Sequence, residues 1–290
     1  MKLKEAFESG KFAITSEVAP PKGTDISPLL EEAEIFKGRV DAVNVTDLQS
    51  SVMRMGSLPV CHLLQDRGLE AVFQVTCRDR NRLALQSDLL NAAVLGIENV
   101  LCLTGDYTTL GDHPQAKPVF DLDSVQLLQA AMKLQNGEDM VGEKLQGSPK
   151  FFLGAVVNPG ADPLEPQLIK MEKKIKAGAQ FFQTQAVYDA KLFEKFMKEA
   201  GKFGVPVMLG IVLLKSAGMA KYMNANVAGV FVPDDLIAAM KETAKEDRPK
   251  KSVEISARLI KEMKDMCQGV HLMPLGWDKH VPAILDAAGL

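Results

Sequence analysis

The 290-residue chain is 47% hydrophobic and 24% charged, with a formal net charge of −3, a balance that provides one sizeable core without staples. It holds no long basic run and no stretch of about 18 apolar residues, which argues against nucleic-acid binding and a spanning helix. Residues 1–11 are amphipathic and charged, without the apolar centre of a secretory leader, so the expected location is the cytoplasm. Cys61, Cys77, Cys102 and Cys267 form no C-x-x-C pair, and are read as buried free thiols of a reducing compartment.

Taken in chain order, eight short, nearly continuous apolar runs read as strands: 12–19, 42–47, 71–77, 99–105, 151–158, 181–187, 205–213 and 269–275. Continuous rather than alternating hydrophobicity is expected of parallel strands covered on both faces. Helical patterns separate them. Asn81 is placed to cap a helix carrying Leu85, Leu89 and Ala93 on one face, with Gly96 after it. Residues 124–134 read as a helix inside the long 106–150 connection. Leu168, Met171 and Ile175 mark the next helix, stopped by Gly178. Leu192, Phe193, Phe196, Met197 and Ala200 make a wide apolar stripe. The 214–250 connection holds further short helices, and Ile255, Leu259 and Met263 mark the last long one.

Regular alternation of strand and helix means parallel βαβ units, and eight units point to an α/β protein with a (β/α)8 TIM barrel in a single 1–290 domain. An open doubly wound sheet is disfavoured because neither G-x-G-x-x-G nor G-x-x-x-x-G-K-[ST] occurs.

In such barrels the site lies where the strands end. Glu17, Asp47 and Asp106 bring carboxylates to those ends, with Gln74, Thr76, Thr104, Asn158 and Gln185 as polar neighbours. Glu17 stands in an apolar run, where burial would raise its pKa and suit it to general-acid work, although a rim ion pair reads equally well. Asp106 after Gly105 can be a helix cap or turn former, and Gln185 within Phe-Phe-Gln-Thr-Gln-Ala-Val either contacts a ligand or is a satisfied interior amide. His62, His113, His271 and His280 do not stand at metal-ligand spacing, so no metal is expected. No G-x-S-x-G elbow occurs either.

The order of several segments then resembles the methylenetetrahydrofolate reductase family across essentially the whole chain. They include Ser16-Glu17-Val18-Ala19-Pro20-Pro21-Lys22-Gly23, Val45-Thr46-Asp47, Val75-Thr76-Cys77, Leu103-Thr104-Gly105-Asp106, Gly111-Asp112-His113-Pro114 and Thr184-Gln185-Ala186-Val187-Tyr188-Asp189. The resemblance implies a non-covalent flavin, usually FAD with FMN as the open alternative, and reduction of 5,10-methylenetetrahydrofolate by hydride from flavin N5. By position it implies Glu17 as general acid, Asp106 as the carboxylate near flavin and folate, and Gln185 as a folate contact. Thr46, Gln74, Thr104, Asp106, Asn158 and Lys174 would line the flavin, with Lys174 toward its phosphates.

The sequence departs from the family in three places. Gln74 replaces a histidine of some members, Leu213 replaces a common proline, and the Ser216-Ala217-Gly218 segment lacks an aromatic that packs on nicotinamide or folate. That weak nicotinamide signal resembles the acetogen-type reductases, which implies a partner subunit with iron–sulfur or zinc centres delivering electrons to an oligomeric enzyme. The resemblance also implies that the chain ends with the barrel, without the regulatory extension of eukaryotic members. The alternatives are a pterin-binding methyltransferase barrel without flavin and a non-catalytic docking subunit.

Overall fold

A computed structural model describes residues 2–290. Among these, eight parallel strands close into one barrel in sequence order: β1 (Ala13–Val18), β2 (Ala42–Val45), β3 (Ala71–Thr76), β4 (Asn99–Leu103), β5 (Phe152–Val157), β6 (Phe181–Ala186), β7 (Val207–Val212) and β8 (Gly269–Met273), with β8 pairing back onto β1. All eight runs expected from the sequence are strands, each shorter by one to three residues, because the flanking residues peel away into the loops. The barrel expected from the alternation is therefore present.

Eleven α-helices are described: α1 (Leu3–Glu8), α2 (Ser27–Ala33), α3 (Ser57–Gln65), α4 (Arg82–Val94), α5 (Ser124–Gln135), α6 (Glu165–Lys176), α7 (Ala190–Ala200), α8 (Ala217–Asn226), α9 (Asp234–Glu242), α10 (Arg248–Met263) and α11 (Val281–Ala288). Their starts follow local chemistry. Asn81 Oδ1 accepts the Leu83 and Ala84 N–H groups at 3.1 Å each, satisfying donors that the first turn of α4 would leave orphaned. Asp123 caps α5 in the same way, and Gln126 closes the capping box. On α4 the buried face is Leu85, Leu89 and Ala92, with Ala93 turned partly outward.

Two cores result from the pleat. Outward-facing strand residues pack against the helices in one continuous cluster, including Val43, Val75, Leu153 and Leu209. Inward-facing residues at the strands' N-terminal end form a second cluster that α1 plugs with Leu3 and Ala6. There Phe152 and Phe181 stack with ring centroids 4.9 Å apart, and Phe7 covers Phe181 at 6.0 Å. Gly154 makes room for this stack, since a Cβ there would lie 2.2 Å from Phe181 Cζ.

Above this apolar plug the interior turns polar. Thr15, Asn44, Gln183 and His271 fill the middle of the barrel, all at most 3% exposed. The strands thus carry a sealed base and a polar throat that opens at the C-terminal ends.

Candidate active site

The throat opens into a cleft of about 300 Å³ lined by side chains from seven strand ends, among them Glu17, Thr46, Gln74, Thr104, Asp106 and Gln185. Apolar walls come from Leu48, Leu103, Val156 and Met273. A second hollow of about 210 Å³ adjoins it across Leu48 and Arg78. Larger hollows of about 520 and 710 Å³ lie at the opposite end of the barrel. In the larger, the charged groups are already matched, as in Lys2–Glu98, Lys11–Asp41 and Arg39–Asp286. Size therefore does not choose the site, and converging groups with unmet bonding capacity do.

One such group is Thr46, 2% exposed, whose Oγ1 has no hydrogen-bond partner. A buried hydroxyl left unsatisfied costs about 1–3 kcal/mol, and at the cleft wall this one is free to take a partner from a bound molecule.

Glu17 is 7% exposed at the end of β1. Its Oε1 accepts Gln49 Nε2 at 3.2 Å, and its Oε2 lies 3.6 Å from His271 Nε2. His271 Nδ1 is 2.9 Å from Thr15 Oγ1, and Gln183 Nε2 donates to that same oxygen at 3.2 Å. The carboxyl thus stands at the head of a column that is hydrogen-bonded from Gln183 through Thr15 to His271, and it approaches the last of these at 3.6 Å.

Gln49 reaches Glu17 from a constrained turn. Leu48, Ser50 and Ser51 have φ of 47°, 55° and 59°, the left-handed region that non-glycine residues avoid. Such strain of about 1–3 kcal/mol per residue persists only where surroundings over-determine it. Here Arg78, 2% exposed, donates to Leu48 O at 3.1 Å, while Ser51 Oγ donates to Tyr107 O at 2.9 Å. Gly111 fits beneath, where a Cβ would come 1.9 Å from Ser51 O. The Gly105 turn before Asp106 has φ of 96° and abuts Arg78 closely, so a side chain there would collide with Arg78 Cβ at 2.9 Å.

The expected site residues divide. Glu17, Thr46, Gln74, Thr104, Asp106 and Gln185 meet in the cleft. Asp106 is exposed and caps no helix; its backbone oxygen accepts Ser51 Oγ at 3.4 Å. Thr104 Oγ1 also accepts the Ser124 N–H at 3.1 Å, and Gln185 Oε1 accepts the Ala186 N–H at 3.0 Å. An extra residue in β6 between Gln183 and Ala186 interrupts the ladder at Gln185, a bulge of the kind that re-aims side chains beside sites.

Three other residues have their polar groups engaged, Asp47 at the cleft wall and Asn158 and Lys174 outside it. Asp47 is neutralised by Arg80 at 2.7 and 3.1 Å and accepts the Thr76 N–H and hydroxyl, so it knits β2 to β3. Asn158 Nδ2 donates to Ala228 O at 2.8 Å, outside the cleft. Lys174, 7% exposed, donates to Val156 O at 2.6 Å from the barrel's outer side, and burial lowers its pKa to about 8. Sequence reading missed Gln49, Arg78, Thr15 and His271. The parity of Gly269, His271 and Met273 along β8 was the available signal for His271, since it shares a face with a cleft residue.

A family model described as methylenetetrahydrofolate reductase matches residues 2–289. The chain belongs to the methylenetetrahydrofolate reductase family. The family's methylenetetrahydrofolate reductase 2 of Schizosaccharomyces pombe is 26% identical, covering 79% of this chain and 37% of that protein. Methylenetetrahydrofolate reductase (NADH) 1 of Arabidopsis thaliana is 26% identical over the full chain, covering 50% of that protein. The 5,10-methylenetetrahydrofolate reductase of Pectobacterium carotovorum is 24% identical, with 78% and 72% covered. The chain thus spans about half or less of the eukaryotic family members it matches. In fold it is similar to a Clostridium thermocellum protein that binds two copies of 5-methyl-5,6,7,8-tetrahydrofolic acid, with a TM-score of 0.64, 16% identity, and 99% and 97% of the two chains covered. Among the described residues, no helix is long and apolar enough to cross a membrane.

Proposed function

We propose that this chain reduces 5,10-methylenetetrahydrofolate to 5-methyltetrahydrofolate at a flavin held in the barrel mouth. The observation that carries the reading is the convergence of Glu17, Asp106 and Gln185 on one cleft around an unpartnered, buried Thr46 hydroxyl. These residues fit a flavin ring system: apolar walls suit its faces, and Thr46, Gln74 and Thr104 offer hydroxyl and amide groups to its polar edge. When bound, the flavin supplies the hydride.

The remaining chemistry belongs to the chain's side chains. Glu17 holds a proton at the leaving nitrogen of the folate's five-membered ring, and transfer of that proton opens the ring to an iminium. Asp106 places a carboxylate near the resulting cation and stabilises it electrostatically. Gln185 offers an amide to the pterin edge. Leu48, Leu103 and Val156 keep water from the reacting carbon. Lys174 serves the flavin's phosphates only if it leaves Val156 O.

Electrons come from a partner subunit through its iron–sulfur centres, any zinc there being redox-inert. In support, the rim around the cleft exposes Met53 (51%), Tyr107 (71%) and Leu110 (70%), an apolar surface suited to docking beside the flavin. A single purified chain that oxidises NADH rapidly would overturn this part.

The deciding experiment is the visible spectrum of the purified chain, followed by release and chromatography of its chromophore. Flavin bands bleached by reductant and restored by methylenetetrahydrofolate support the reading, and the released compound separates FAD, the expected form, from FMN. A colourless chain that takes up neither flavin overturns it in favour of a flavin-free pterin-binding methyltransferase.

A further inference from the structure

We propose that the amide pair Asn44–Gln183, buried in the barrel's middle layer, is a positioning device that sets the tautomer of His271 and thereby turns an N–H toward Glu17. The functional weight of this inference rests on the reading of Glu17 as the acid of the site; its structural content does not.

The argument is an accounting of protons. Asn44 Nδ2 donates to Gln183 Oε1 at 2.9 Å, and Gln183 Nε2 donates back to Asn44 Oδ1 at 3.1 Å. This reciprocal pair consumes one of the two Gln183 N–H groups and orients the amide. The second N–H donates to Thr15 Oγ1 at 3.2 Å. Thr15 is therefore an acceptor on that side, and its single hydroxyl proton must find its own acceptor.

Two candidates are in range: His271 Nδ1 at 2.9 Å and Met208 Sδ at 3.9 Å. A thioether is a weak acceptor and lies an ångström farther, so the proton points to the imidazole. Nδ1 then accepts, and a neutral ring must carry its hydrogen on Nε2. That nitrogen is the one 3.6 Å from Glu17 Oε2. The distance exceeds a formed hydrogen bond, and a small ring rotation closes it.

The direction in which the pair is held, rather than the pairing alone, decides the tautomer, because the pair can be reversed on paper. Turning both amides over preserves their mutual bonds but presents Gln183 Oε1 to Thr15. The Thr15 hydroxyl would then point down, His271 would protonate at Nδ1, and a bare Nε2 lone pair would face Glu17. In the observed direction, a Glu17 carboxylate formed by proton transfer to substrate meets a donor on Oε2, while Gln49 serves Oε1. In the reversed one it meets a lone pair. Asn44 lies beside Glu17 in the ladder and Gln183 beside Val156, but neither amide lines the cleft and their side-chain N–H···O bonds run to each other and to Thr15, so they act on Glu17 through Thr15 and His271.

The test reads the tautomer directly. Long-range ¹H–¹⁵N spectra of the uniformly labelled, ligand-free full chain, with His271 assigned by its loss in His271→Gln, are expected to show one tautomer protonated at Nε2. The double variant Asn44→Leu/Gln183→Met keeps volume while removing the donor to Thr15, and is expected to lose the single tautomer. Thr15→Val gives the same result should the double variant fail to fold, and Thr15→Ser retains the wild-type pattern. In turnover, the double variant is expected to fall about tenfold at unchanged KM, a fraction of the ~10²–10⁴-fold that a positioned acid contributes. A wild-type His271 protonated at Nδ1, or a pattern unchanged in both the double variant and Thr15→Val, overturns the proposal. Because the spectra need no folate or flavin, failure of this assignment and failure of the reductase reading are separate observations.

Discussion

The two ends of this barrel solve opposite problems with the same eight strands. At the base, α1 drives Leu3 and Ala6 against Phe152, Phe181 and Met208, and the inward surface is closed, apolar and free of strained turns. At the mouth, the strand ends deliver carboxyl, amide and hydroxyl groups, one of them unpartnered, beneath a turn with three left-handed non-glycine residues. Packing supplies stability at one end so that the other can hold groups in arrangements that folding alone would not favour. The contrast has a gradient between its extremes: the column from Asn44 and Gln183 through Thr15 and His271 to Glu17 carries order from the packed interior to the cleft.

The base should break first. Phe181→Ala empties the stack against Phe152 and Phe7, with an expected loss of about 3–5 kcal/mol in unfolding free energy by denaturant titration. Flavin binding by the fraction that stays folded should persist, since the cleft lies at the other end.

The mouth should respond the other way. Glu17→Gln is expected to lower turnover by about 10²-fold or more, equivalent to ~2.7 kcal/mol in the barrier, with an unchanged unfolding midpoint. A loss of stability as large as the loss of activity would make Glu17 a structural ion-pair partner instead.

A third test sits on the mouth side at Asp278, a buried carboxyl between β8 and α11. Burial, with Glu32 and Glu17 adding to it, raises its pKa from 3.8 to about 6. The folded chain then binds more protons than the unfolded chain between those values. Its contribution to stability is fully present below about pH 4 and is lost as pH rises through about 6. Asp278→Asn should flatten that part of the pH–stability curve and raise stability at neutral pH by on the order of 2 kcal/mol. An unchanged slope between pH 4 and 6 would show that Asp278 is not the group responsible.

The smallest effect sharpens the contrast most. Thr46→Val replaces an unsatisfied hydroxyl with a methyl group, so the flavin-free chain should gain about 1 kcal/mol in stability. The same change should weaken flavin binding, measured by fluorescence quenching. A variant that gains stability and binds flavin as tightly as before would remove Thr46 from the cofactor site.

Legibility differed between the two ends for a physical reason. Strands such as 71–77 and 181–187 were readable because burial on both faces demands continuous apolar runs, whatever the tertiary partner. Glu17, Thr46, Asp106 and Gln185 were readable as polar residues at the ends of such runs. Strand limits ran long at Thr104-Gly105, because the positive φ of Gly105 turns the chain away before its composition changes. The polar character of Asp47 and Lys174 was equally visible, but not that Arg80 and Val156 O take them.

The eight-unit alternation and the polar strand ends are local properties, written in composition and period, so the sequence alone determined the barrel and which end of it gathers the polar groups. Which polar side chain remains available there was decided only by closure. Thr15 and His271 stand 256 residues apart, and Asn44 and Gln183 139 apart. Their pairing exists because barrel closure docks β8 on β1 and buries these groups away from bulk solvent, a condition that no local stretch of chain can express.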